Sequence, residues 1–191
     1  MEEEEKSERN VADPISRKLF ENRTILISGG IDHKISERVV SQLLAMAIDS
    51  DDDIHLYVNS PGGHVESADS IFDIINFVKP RVIIIGTGWV ASAGAHIFLS
   101  VPLKDRYCLT NTRFLLHQPS GGVGGRASDV QIEAEEILRM RMRLNMIIAR
   151  QTGQALEKVE TDTDHDFWMS AEEAKDYGIV GKIIERIDEV K

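Results

Sequence analysis

A serine, a histidine and an aspartate are the side chains of this sequence that could carry out acyl transfer. Ser92 lies between Ala91 and Ala93, His117 follows 25 residues later, and Asp166 lies nearer the C-terminus. A serine at the junction of a strand and a helix is more often only an N-cap, so the chemical hypothesis depends on the two partners. Nucleophile, base and orienting carboxylate together indicate catalysis of the triad type.

Stretches with the apolar period of a strand alternate with stretches of helical period through the first half of the chain. The strands and helices that they predict would position these groups. Three β-type runs, at residues 24–28, 54–58 and 82–85, are each followed by a stretch of helical periodicity. This alternation indicates an α/β fold with a largely parallel sheet, whose sites lie at the carboxyl ends of the strands. Ser92 and the turn at 62–63 both fall at that edge.

The remaining predicted elements include one long helix. We predict a helix that begins at Ser36, short strands at 106–109 and 113–116, and a long helix from about 129 to 151. A last helix is predicted to begin at the capping box of Ser170 and Glu173, and a closing strand follows at 179–184. A helix as long as 129–151 would project from a small domain unless something packs against it. A partner subunit is therefore expected on this helix.

Size and composition predict one folded domain preceded by a charged tail. The chain has 191 residues, of which 42% are apolar, and a formal charge of −10. We assign residues 1–14 to an N-terminal tail and 15–191 to a single domain. The acidic charge disfavours nucleic acid, and no apolar stretch is long enough for a membrane span. The acidic first segment is the reverse of a signal peptide, so we expect a cytoplasmic protein whose lone Cys108 is a buried structural thiol.

Four short segments of the chain resemble those of the proteolytic subunit of the Clp protease, the ClpP family. They are Asn-Ser-Pro-Gly-Gly at 59–63, Ala-Ser-Ala-Gly-Ala at 91–95, His-Gln-Pro at 117–119 and Asp-Phe-Trp-Met-Ser-Ala at 166–171. Their common order and separations are specific, and the resemblance runs from about Ile15 to Ile187. It implies an α/β, ClpP/crotonase-like fold of repeated β-β-α units, with a protruding strand-helix handle at about 118–151.

The resemblance implies a serine endopeptidase that degrades unfolded proteins to short peptides through an acyl-enzyme. It implies that Ser92 is the nucleophile, that His117 is the general base and acid, and that Asp166 orients the histidine. The oxyanion-hole amides fall on Gly63 and Ala93. No metal or cofactor is implied for this chain, since the ATP is used by a partner unfoldase.

The resemblance also implies a barrel-shaped particle of two stacked seven-membered rings, a tetradecamer that encloses the serines. A ring-shaped, ATP-driven unfoldase would thread unfolded polypeptide into it. The implied contacts between rings are Gly121, Gly122, Gly124, Gly125, Asp164 and His165. The chain departs from the family in its acidic N-terminus, in His165 where an arginine is common, and in His55 where an aromatic residue lines the unfoldase docking pocket. These changes suit a divergent second paralogue in a mixed particle.

Two other functions stay open at this point. One is a catalytically latent structural subunit of a hetero-oligomeric ClpP particle, which only an activity measurement separates from a peptidase. The other is a crotonase-like enzyme that acts on a CoA thioester, and the triad residues in family register argue against it. The letters of residues 122–127 fit a dinucleotide-binding fingerprint, but one long helix follows without a second strand, so we reject that function.

Overall fold

Seven strands of the described chain form one sheet. The computed structural model describes residues 14–122 and 124–191, so the predicted tail lies outside the described residues except for its last position. The strands are β1 (Thr24–Ser28), β2 (Ile54–Ser60), β3 (Val82–Ala91), β4 (Arg106–Leu109), β5 (Arg113–Leu116), β6 (Phe167–Met169) and β7 (Lys182–Ile184). Their order is β1-β2-β3-β4-β7, with β5 on the last part of β3 and β6 beside β5. All pairs are parallel except β5 with β6, which confirms the predicted α/β class.

Helices connect the strands and supply the rest of the core. They are α1 (14–21), α2 (His33–Asp49), α3 (Val65–Phe77), α4 (Ala93–Phe98), α5 (Ala127–Thr152), α6 (Leu156–Asp162) and α7 (Ala171–Tyr177). Leu43 of α2, Ile71 of α3 and Phe98 of α4 are fully buried in the main core cluster. Each such side chain stabilises the fold by about 1.5–3 kcal/mol. Among these described helices, none has the length and hydropathy to cross a bilayer.

A bulge in β3 brings the end of this strand next to β5. Val58 of β2 pairs with Gly86 and Ser60 pairs with Val90, so β3 carries extra residues over this stretch. Gly88 lies in the bulge with a φ of +63°, which favours glycine. Beyond the bulge, β3 pairs with β5 instead of β4. The strand β3 therefore pairs with β4 through its first part and with β5 through its last part. Ser92, the residue that follows β3, lies beside β5.

The observed boundaries differ from the predicted ones where glycines or long-range bonds decide them. The prediction that β3 ends at Ile85 is wrong, because the residues of the bulge stay in the sheet as far as Ala91. The prediction that α2 opens at Ser36 is also wrong. Asp32 caps this helix by accepting a hydrogen bond from the N–H of Ile35 at 2.8 Å.

Two differences concern the C-terminal third of the chain. The closing strand begins at Lys182 rather than Ile179, because Gly178 ends α7 in the left-handed conformation and the turn has to finish first. The helix α6 was not predicted, and its only buried side chain is Val159. The capping box of Ser170 and Glu173 is confirmed at the start of α7.

Arg106 in β4 joins the C-terminal ends of two helices from inside the core. It is 1% exposed and donates hydrogen bonds to the carbonyls of Gln151 (2.8 Å), Ile179 (3.1 Å) and Gly178 (3.3 Å). Those carbonyls lie at or just beyond the ends of α5 and α7, where helices carry partial negative charge. Burial lowers the pKa of Arg106 to about 10, so the side chain stays cationic at neutral pH. The predicted burial of Cys108 in the same strand is confirmed, and burial raises the pKa of its thiol to about 12.

We expect Arg106→Met to destabilise the protein by about 3 kcal/mol, because it leaves three buried or half-buried carbonyls without this donor. Urea unfolding at one fixed protein concentration measures this, since assembly contributes to apparent stability. Arg186→Met is the matched control, because Arg186 is 76% exposed and its change is expected to stay within about 0.5 kcal/mol. Equal unfolding midpoints for the two variants would contradict the role given to Arg106.

Candidate active site

Ser92 is held in a strained backbone conformation between β3 and α4. Its φ is +54° and its ψ is −119°, a region that costs a non-glycine residue about 1–3 kcal/mol. The N–H of Ser92 donates to the carbonyl of Leu115 in β5 at 2.9 Å, which fixes the junction against the neighbouring strand. The side chain makes no capping hydrogen bond to α4. Ser92 therefore occupies the N-cap position of α4 without capping the helix through its side chain, and its hydroxyl is free for another partner.

That partner is His117, which follows β5 directly. The Ser92 hydroxyl lies 2.8 Å from Nε2 of His117, and Nδ1 of the same ring lies 2.9 Å from Oδ1 of Asp166. Because an ionised carboxylate only accepts, Nδ1 carries the proton and Nε2 is free to accept from the serine. Asp166 precedes β6, whose antiparallel pairing with β5 brings it beside the histidine. The structure thus brings the three predicted residues into one hydrogen-bonded chain.

The predicted oxyanion-hole residues lie on two segments beside Ser92. Ile31 forms a β-bridge with Gly63 by bonding to its two neighbours. The N–H of Ile31 donates to the carbonyl of Gly62 at 2.9 Å, and the carbonyl of Ile31 accepts from the N–H of His64 at 2.8 Å. The N–H of Gly63 itself therefore points away from Ile31. Gly62 contacts the serine segment so closely that an ideal Cβ on it would lie 2.7 Å from Cβ of Ser92 and 3.1 Å from the nitrogen of Ala93. The first N–H groups of a helix have no partner within it, so that of Ala93 is also available.

We expect Gly63→Ala to lower kcat by roughly 10²–10³-fold, the typical cost of losing one oxyanion donor. Gly63 has a φ of +147°, and an ideal Cβ there would lie 2.2 Å from the carbonyl oxygen of Ile31, so the segment has to move. Peptide hydrolysis and the melting temperature should both fall. Gly30→Ala is the control, because the nearest atom to its Cβ is 3.9 Å away. An active Gly63→Ala variant would exclude this position from the oxyanion hole.

A cavity opens next to the serine and the histidine. Apart from Ser92, Ala93 and His117, its walls are one imidazole, that of His96, and a set of apolar side chains: Val65, Leu116, Pro119, Leu144 and Ile148. Behind His96 lie Asp69 and Arg143, which the sequence reasoning missed. No sequence signal pointed to these two residues, because they come from different helices and meet only through packing.

The predicted oligomer-contact residues lie around the N-terminal part of α5 and the loop before β6. Asp164 accepts a hydrogen bond from Arg141 of α5 at 2.9 Å, and the adjacent His165 is 95% exposed. Only Asn145 and Ile148 of α5 are buried. The loop before this helix contains four of the predicted glycines, Gly121, Gly122, Gly124 and Gly125. Of these, only Gly125 has a φ in the range that favours glycine, at +140°. In residues 14–122 and 124–191, no three His, Cys, Asp or Glu side chains are grouped as metal ligands.

Comparisons with known proteins agree over nearly the whole chain. The family model described as Clp protease matches residues 5–187. The ATP-dependent Clp protease proteolytic subunit 3 of Rhizobium etli is 55% identical over 188 residues, which is 96% of this chain and 97% of that protein. The ATP-dependent Clp protease proteolytic subunit 2 of Pseudomonas aeruginosa is 56% identical over 162 residues, or 85% and 81%. The solved structure of ClpP1 from Listeria monocytogenes has a TM-score of 0.84 at 48% identity, covering 93% of this chain and 99% of that one.

The fold and these matches define the class of protein as a serine peptidase built on an α/β sheet. The chain belongs to the Clp protease family. It is a proteolytic subunit of the chambered Clp protease, and the subunits of this family form oligomeric protease particles. The predicted ClpP fold and serine peptidase activity are therefore confirmed. The alternatives of a latent structural subunit and of a CoA enzyme are not favoured.

Proposed function

We propose that Ser92, His117 and Asp166 carry out peptide hydrolysis as nucleophile, general base and orienting carboxylate. The observation that carries this assignment is the unbroken chain of hydrogen bonds from the Ser92 hydroxyl through both ring nitrogens of His117 to Asp166, at 2.8 and 2.9 Å. These distances suit proton transfer without rearrangement of the side chains. The strained backbone of Ser92 presents its hydroxyl at the end of β3 instead of turning it into the helix.

Acylation follows from this arrangement. Oγ of Ser92 attacks the carbonyl carbon of the scissile bond while its proton moves to Nε2 of His117. The N–H groups of Gly63 and Ala93 stabilise the negative oxygen of the tetrahedral intermediate. When this intermediate collapses, the C–N bond breaks and the imidazolium gives its proton to the leaving amine. The acyl group then stays on Ser92 as an ester.

Deacylation repeats these steps with water. Nε2 of His117 takes a proton from a water molecule, which attacks the ester carbonyl, and then returns that proton to Oγ of Ser92 as the acid product leaves. The carboxylate of Asp166 stabilises the imidazolium each time it forms. None of these steps uses a metal or a nucleotide, and we propose that ATP is consumed by a partner.

The long helix α5 is proposed to contact other copies of the chain in stacked heptameric rings. It exposes apolar side chains that water would not stabilise: Val130, Ile132, Leu138, Met142 and Met146. Arg141 holds Asp164 beside this helix, and the exposed His165 follows it directly. A helix with so little buried surface would gain stability from an equivalent face on a second subunit.

The partner that supplies substrate is proposed to be a ring-shaped, ATP-driven unfoldase, with unfolded polypeptide as substrate in the cytoplasm. His55 lies in β2 opposite Ile83 of β3, on the sheet that also carries Tyr57 and Tyr107. Burial, as the largest effect, lowers the pKa of His55, which favours the neutral form of this ring in the predicted docking pocket. A neutral imidazole replaces an aromatic ring there with little electrostatic change.

Labelling with a fluorophosphonate serine probe, combined with native mass spectrometry, tests the proposal. We expect the purified protein to be labelled on Ser92 within a fourteen-subunit particle, and His117→Ala to remain assembled but unlabelled, because no base then takes the serine proton as Oγ attacks the probe. Labelling that is independent of His117 would contradict the assigned base. Labelling that needs a second type of subunit would identify a mixed particle, and no labelling under either condition would make the chain a structural subunit.

A further inference from the structure

We propose that His96 makes the cavity beside Ser92 selective for substrate side chains that end in a neutral hydrogen-bonding group, such as glutamine and tyrosine. The selected side chain belongs to the residue whose carbonyl Ser92 attacks, called here the acyl residue. This inference rests on the proposed function, because it names which residue that reaction accepts.

The position of the cavity assigns it to the acyl residue. Ser92, Ala93 and His117 all line it, and the acyl residue is the one that becomes bonded to Ser92. Its other walls are mostly aliphatic, with Val65 of α3, Leu116 of β5 and Leu144 of α5 among them. A cavity lined by these groups alone would select leucine, methionine or phenylalanine.

His96 is the exception in this apolar lining, and it is rigidly held. It lies in α4, one turn after the nucleophile, where its N–H donates to the carbonyl of Ser92 at 3.0 Å. Its ring stacks on that of Phe72 with centroids 4.7 Å apart and planes 7° from parallel. Only 7% of the residue is exposed. A side chain so placed offers a fixed hydrogen-bonding group to whatever fills the cavity.

Asp69 determines which ring nitrogen carries the proton. Its carboxylate lies 2.8 Å from Nε2 of His96 and also receives both terminal nitrogens of Arg143, at 2.8 and 2.6 Å. Burial alone would raise the pKa of Asp69, but the hydrogen bonds from His96 and Arg143 outweigh it and hold this pKa well below its usual range. The ionised carboxylate can only accept, so Nε2 of His96 is the protonated nitrogen.

The other ring nitrogen, Nδ1, is left without a bond to Asp69. Among the described residues, Nδ1 of His96 has no hydrogen-bond partner, and the ring borders the cavity. A glutamine amide or a tyrosine hydroxyl would supply the missing hydrogen-bond partner. Methionine or phenylalanine would fill the same space but leave Nδ1 dry and unpaired, which costs binding energy in the transition state.

Two pairs of fluorogenic peptides test the selectivity. Within each pair only the acyl residue differs, glutamine against methionine and tyrosine against phenylalanine, so length and shape match while the hydrogen-bonding group is present or absent. For the wild-type particle we expect kcat/KM to favour the glutamine or tyrosine peptide of each pair by about tenfold. In His96→Phe, which keeps an aromatic ring against Phe72, this preference should disappear. In His96→Gln, which keeps a polar group at the same place, most of it should remain.

Each ratio compares two substrates on one enzyme, so a partly misfolded variant does not change it. Equal kcat/KM values within both wild-type pairs, or an unchanged preference in His96→Phe, would overturn the role of His96 while leaving the peptidase intact. If the wild-type particle cleaves none of the four peptides and Ser92 is not labelled by fluorophosphonate, the proposed function fails and this inference fails with it.

Discussion

Replacing Ser92 by alanine is expected to lower kcat for peptide hydrolysis by roughly 10⁶-fold, the largest effect of any single change in this chain. The substitution removes the atom that forms the acyl-enzyme, and His117 alone provides no equivalent nucleophile. Alanine tolerates the backbone of Ser92 no worse than serine does, so the particle should still assemble. Single-turnover and steady-state assays with a fluorogenic peptide, on particles of verified mass, measure the loss.

Ser100→Ala is the matched control for this experiment. Ser100 is 2% exposed and follows α4, and its hydroxyl has no hydrogen-bond partner among the described residues. Its removal should leave activity and assembly unchanged, because it takes away no interaction. Residual activity in Ser92→Ala above about one thousandth of the wild-type rate would exclude Ser92 as the nucleophile.

Asp166→Asn is expected to lower kcat by roughly 10³–10⁴-fold without changing the particle mass. The amide of asparagine can donate to Nδ1 of His117 and so favours the tautomer whose Nε2 carries the proton. That tautomer cannot accept the proton of Ser92. The expected loss of kcat is no larger than that for a fully buried aspartate. The Asp166 side chain is 64% exposed, so water screens its charge and weakens its effect on His117.

The matched control for this second variant is Asp176→Asn. Asp176 is an exposed carboxylate in α7, so the same change of charge there should alter kcat by less than about twofold. The rate of fluorophosphonate labelling should fall in proportion to kcat in Asp166→Asn. A loss of less than tenfold would mean that another group orients His117.

Elements that neighbours along the chain stabilise could be predicted from sequence alone. The capping box of Ser170 and Glu173 needs only residues three positions apart, and it opens α7 as predicted. The strands β1, β4 and β5 were also placed correctly, because each is a short β-type run bounded by turn residues. The same reasoning failed for β3, because the apolar run stops at Ile85 whereas the bulge keeps the strand in the sheet as far as Ala91.

The sequence by itself determined the α/β class, the order of most elements and, through the motifs, the three residues now proposed to act together. What only the tertiary structure decided is the geometry between distant segments. Three features depend on groups that are far apart in the chain: the strained backbone of Ser92, the hydrogen bonds of Arg106 to two helix ends, and the cluster of Asp69, His96 and Arg143. Sequence patterns reflect interactions between residues that are close along the chain. An ion pair between distant residues, or a strained turn, persists only because the packed core holds the segments involved in place.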